Sequence, residues 1–85
     1  MKNQMRLIED STISDFVSRQ IHVMRNLTDH LKKPGGKADK AVFDFEVSII
    51  WTRVMTLRSI DALYDEEFER LERAHERFKE AMKDV

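Results

Sequence analysis

The only cluster of helix breakers in this chain is Pro34-Gly35-Gly36, and no Gly or Pro occurs from Ala38 to Asp84. In a helix interior Gly costs about 1 kcal/mol and Pro about 3 kcal/mol relative to Ala, so their placement marks where helices stop. The sequence therefore divides once, into an amphipathic helix before the break and a long helical arm after it. The expected boundaries are a first helix over about 11–33, a loop over 34–38 and an arm over about 39–84, possessing either an unbroken course or a kink near 59–61.

Eighty-five residues make a single small domain, with a thin core for its surface. Hydrophobic residues at 41% and charged residues at 36% argue for an ordered chain rather than a disordered one. Cysteine is absent, which excludes disulfides, thiol chemistry and cysteine-ligated zinc. The Met1–Ile8 stretch has no apolar signal region, and Asp44, Glu46 and Arg53 interrupt the most apolar window, Val42–Leu57. These features lead us to expect a cytoplasmic protein with no membrane contact.

In the first helix, Ile13, Phe16, Val17, Ile21, Met24, Leu27 and Leu31 recur at steps of three and four, forming one apolar stripe. Thr12-Ile13-Ser14-Asp15 has the outline of a capping box, and Met5 and Ile8 extend the stripe backwards toward an earlier start. The middle segment is ambiguous. Phe43, Phe45, Val47, Ile49 and Trp51 alternate as a half-buried strand would, whereas Phe43, Val47, Ile50, Val54 and Leu57 fit one helical face and Val42, Phe45 and Ile49 a second. No other stretch offers a partner strand, which favours helix, with Asp39 as its N-cap.

Toward the C-terminus Leu57, Tyr64, Leu71, Phe78 and Val85 repeat every seven residues, and Phe68, His75 and Met82 complete a coiled-coil-like seam. Glu66–Arg70 and Glu69–Arg73 are acid-before-base pairs four apart, suited to a solvated ion-paired face. An unbroken arm would span about 70 Å at 1.5 Å per residue, so it must either kink at Ser59-Ile60-Asp61 or pack on another chain.

Charge is unevenly distributed. Residues 1–40 hold eight Lys/Arg against five Asp/Glu, and residues 65–85 hold five against eight. That asymmetry favours antiparallel contact between the two ends of the chain.

Several residue groups have chemical potential and a plainer alternative. His22, Asn26 and His30 share a polar helical face, but imidazoles eight residues apart lie about 12 Å from one another, too far for one metal ion. His75 on the seam is either a pH-sensitive element or a boundary residue bonded to a carboxylate such as Glu72. Ser48, Thr52, Thr56 and Ser59 have no evident base and are expected to bond back to helix carbonyls. Arg53 and Arg58 would serve an enzyme only if one pocket converged on both. No catalytic constellation, metal site or cofactor is expected.

These observations combine into an all-α expectation: a helical hairpin or three-helix chain assembling into a homodimeric helical bundle. The apolar middle segment is the expected self-interface or partner surface, through Phe43, Val47, Ile50, Trp51, Val54, Met55 and Tyr64. The expected role is that of a small non-enzymatic regulatory or adaptor protein that binds itself and another protein. The alternative is a nucleic-acid-binding regulator using a basic strip of Arg19, Arg25, Lys32, Lys33, Lys37 and Lys40.

Overall fold

In a computed structural model the described residues are 9–84. They form α1 (Asp10–Leu31), a short 3-10 helix (Gly36–Asp39), α2 (Lys40–Ser59) and α3 (Asp65–Asp84). Strands are absent among the described residues, so the middle segment is helical. Met5, Ile8 and Val85 of the expected stripes lie outside the described residues. One core joins all three helices: Ile13, Val17, Met24, Leu27 and Leu31 meet Val47, Ile50 and Val54 and the α3 residues Leu71, Ala74, Phe78 and Ala81.

Helix α1 starts earlier than the expected capping box. Glu9 is its N-cap, and Ser11 Oγ donates to Glu9 Oε1 at 2.8 Å, so Thr12 and Asp15 lie inside the helix. At the other end the chain reverses through Gly35, whose φ of 87° favours glycine. Gly36 then packs against the last carbonyls of α1, where an added Cβ would come within 2.5 Å of the His30 oxygen. Asp39 precedes α2 as expected but makes no side-chain capping bond.

The expected long arm is broken, and the molecule measures 46 Å along its longest axis rather than the rod's length. Helix α2 ends in a Schellman motif: Asp61 N–H donates to the Arg58 carbonyl at 3.1 Å and Ala62 N–H to the Leu57 carbonyl at 2.9 Å. Asp61 takes the left-handed position, with φ of 62°. Neither Ser59 nor Asp61 caps the next helix. Tyr64 occupies that place, its N–H donating to Glu67 Oε1 at 2.9 Å, which is half of a capping box. Ala62 and Leu63 are buried in the connection and tie it to the core.

Two short reversals among three helices make α1 and α3 parallel. Tyr64, at the start of α3, donates its hydroxyl to Asp10 Oδ1, at the start of α1, at 3.3 Å. The contact between α1 and α3 is the most extensive in the molecule, yet it is not the antiparallel contact that the charge asymmetry suggested. Apolar packing decides the pairing: Leu71, Ala74, Phe78 and Ala81 are 5% exposed or less. The heptad seam of α3 is thus used within the chain, and its continuation through Leu57 and Tyr64 is cut by the break.

Candidate functional site

Helix α2 presents apolar residues on two opposite sides. Val47, Ile50 and Val54 point inward and are buried, so these three expected interface residues belong to the chain's own core. Phe43 is half-buried beside His30, ring centroids 6.2 Å apart, and Trp51 is half-buried beneath His75. Tyr64 is half-buried at the head of α3. Of the seven expected residues only Met55 is largely exposed.

The outward side carries a different set. Val42, Phe45, Ile49 and Ile60 are all exposed, Phe45 at 66%. With Thr52 and Thr56 they form a stripe at steps of three and four, the spacing of a helix seam. The threonine hydroxyls do not make that stripe polar. Thr52 Oγ1 donates to the Ser48 carbonyl and Thr56 Oγ1 to the Thr52 carbonyl, both at 2.9 Å, which satisfies both donors within the helix. Beside the stripe lies a hollow of about 360 Å³ between α1 and α2, lined by Thr12, Ile13, Phe16, Thr52, Arg53, Thr56 and Leu57.

The flank of α2 that meets α3 is aromatic and cationic. Trp51 stacks on His75 at 4.1 Å and packs on Phe68 at 5.8 Å. Arg58 lies 4.2 Å above the Phe68 ring and reaches Asp65 at 3.4 Å. Arg53 instead lines the hollow on the α1 side, so the two arginines diverge around α2 and do not converge on one pocket. Burial against the tryptophan lowers the pKa of His75, and Lys79 adds to the effect against the opposing pull of Glu76, Asp44 and Glu72.

The basic strip is divided by the fold. Arg25 faces α3, and Lys32 lies farther along that side. Arg19 falls about 120° of helix rotation from Arg25, on the other flank of α1. Lys33 and Lys37 are exposed around the Pro34 turn, and Lys40 is half-buried at the start of α2. His22 and Asn26 contact each other at 3.1 Å, while His30 turns toward Phe43. Among the described residues no group of three His, Cys, Asp or Glu side chains is placed to hold a metal ion. None of the described helices is long and apolar enough to cross a membrane.

A second concave feature was obscured in the sequence. Arg70, Arg73 and Arg77 look like partners of the neighbouring glutamates, but neither Glu66–Arg70 nor Glu69–Arg73 closes as an ion pair. All three arginines line a cleft with Arg25 of α1. Their spacing of three and then four residues was the available signal, because it sets them on one flank of a helix.

No protein family, curated protein or solved structure matches this chain.

Proposed function

We propose that the protein is a small non-enzymatic regulatory or adaptor module that acts through protein–protein contact, and that its first partner is a second copy of itself. The outward stripe of α2 carries this reading. Three exposed large hydrophobics lie on one side of α2 with a fourth, Ile60, at its C-cap, and covering a large apolar side chain is worth about 1.5–3 kcal/mol. Single exposed hydrophobics need no explanation, whereas a continuous row marks an interaction surface.

Complementarity with itself favours a second copy as the occupant. Glu46 and Arg53 flank the stripe on the same side, seven residues apart, and neither has an ion-pair partner among the described residues. Two α2 helices set antiparallel about an axis near position 50 bring Glu46 close to the partner's Arg53, twice. In that register Ile49 meets the partner's Thr52, and Phe45 meets the partner's Thr56 at the mouth of the hollow. Large side chains then face small ones, which is how helix seams interlock. The dimer is isologous and closed, the commonest form of homo-oligomer.

Light scattering on the wild type and on Phe45→Asp/Ile49→Asp tests the assembly. A dimer that becomes a folded monomer in the variant is the expected result, since both side chains are exposed in the isolated chain. A monomeric wild type at high concentration would refute self-docking. The register is read by charge exchange: Glu46→Arg should weaken the dimer, and Glu46→Arg/Arg53→Glu should restore it. The nucleic-acid alternative draws less support, because Arg19 and Arg25 occupy different flanks of α1.

A further inference from the structure

We infer that the cleft between α1 and α3 is a binding site for a compact, multiply charged phosphoryl group. Its walls are the side chains of Arg25, Arg70, Arg73 and Arg77, and Ile21 and Ala74 complete the lining. The small side chain of Ala74 leaves the space, about 180 Å³. Like charges from two helices thus face one cleft without an intervening carboxylate.

Two features mark the four exposed arginines as a place for an anion. None of the four guanidinium groups is ion-paired among the described residues, although α3 is rich in glutamate. Their planar forks also match the oxygens of a phosphoryl group two at a time.

The surroundings select for a short ligand. Arg70 also borders a hollow lined by Asp10, Glu66 and Glu67. At the other end, Arg25 and Arg77 border one that contains Asp29, Glu80 and Asp84 beside Lys32. A polyanion running along the groove would meet carboxylates on both sides of the arginines. One or two adjacent phosphoryl groups would meet only the arginines, so an extended nucleic-acid strand is disfavoured. The same chemistry is found on a phosphorylated side chain of a partner and on a free polyphosphate.

The test is titration of the full chain with pyrophosphate, with a phosphoserine peptide and with a short single-stranded RNA, followed by NMR of the arginine side-chain N–H groups. Saturable binding of one pyrophosphate or one phosphopeptide per chain, at a Kd of about 1 mM or tighter, is expected. The tighter of the two identifies the source of the phosphoryl group. Arg73→Gln/Arg77→Gln should weaken that binding at least about tenfold, through loss of two charged forks. Arg73→Lys/Arg77→Lys, which keeps the charge and controls for folding, should restore only part of it, and Arg19→Gln should leave it unchanged. Absence of saturable binding by either phosphate compound would overturn the site. Equal weakening by Arg19→Gln would reduce it to general surface charge, and RNA binding tighter than both would overturn the preference for a compact ligand.

Discussion

The imidazole of His75 lies almost flat on the indole of Trp51, with centroids 4.1 Å apart and planes inclined by 15°. The contact covers the histidine from one side, and its folded pKa falls because the charged form loses water. A histidine with a lowered folded pKa stabilises the fold above its unfolded value of about 6.5. That contribution is lost as pH falls through 6.5 toward the folded pKa, because the unfolded chain binds the proton more readily. Chemical denaturation between pH 7 and pH 5 should therefore show declining stability, and His75→Phe should flatten part of the decline. An unchanged slope in the variant would remove His75 from the explanation.

The two sides of α2 should respond differently to truncation. Ile50→Ala, at a buried position of α2 facing the core, should cost about 2–5 kcal/mol by leaving a cavity. Phe45→Ala should alter stability by no more than about 0.5 kcal/mol at concentrations where the chain is monomeric. At higher concentration the wild-type Tm should rise and that of Phe45→Ala should not, because dimer formation stabilises by mass action. Calorimetry across a concentration series separates the two effects.

Asp61 closes α2 in the left-handed region with φ of 62°. A β-branched residue there pays a steric penalty, so Asp61→Val should destabilise by about 1–2 kcal/mol, whereas Asp61→Gly should be neutral or mildly stabilising. Urea unfolding of the pair checks this. Equal stability of both variants would show that the turn can relax into another shape.

Gly36 has a different requirement, set by space and not by φ. A Cβ there would fall within 3 Å of the carbonyl atoms of Leu31 and the His30 oxygen. Backbone atoms yield less readily than side chains, so Gly36→Ala should destabilise by about 1–3 kcal/mol. Gly35→Ala has open space around it but carries the positive φ. Thermal melts of both substitutions should show losses with separate origins.

The sequence made the helical class and the turn at Pro34 readable because Pro and Gly act locally. It was equivocal at 43–51 for a physical reason: apolar stripes on opposite sides of one helix imitate the alternation of a strand. Val42, Phe45 and Ile49 could be recognised as a second face. Which face would be covered depended on α1 and α3, so Val47, Ile50 and Val54 could not be assigned to the core in advance. The end of α2 was also hard to read, since Asp61 performs the turn that Gly usually marks. The arginine cleft was hidden by a reasonable local pairing rule that the helix geometry permits and the side chains do not follow.

The parallel course of α1 and α3 leaves the molecule with an unbalanced axial dipole. Two helix N-termini share one end, where Asp10, Asp65, Glu66 and Glu67 supply negative charge. Their C-termini share the other end, where Lys32, Lys33 and Lys83 supply positive charge. The lysines near the Pro34 turn thus have an electrostatic role without any nucleic acid. A second copy docked antiparallel along α2 would oppose its axial field to that of the first, so a pairing that covered Phe45 would also cancel the polarity built in by the three described α-helices.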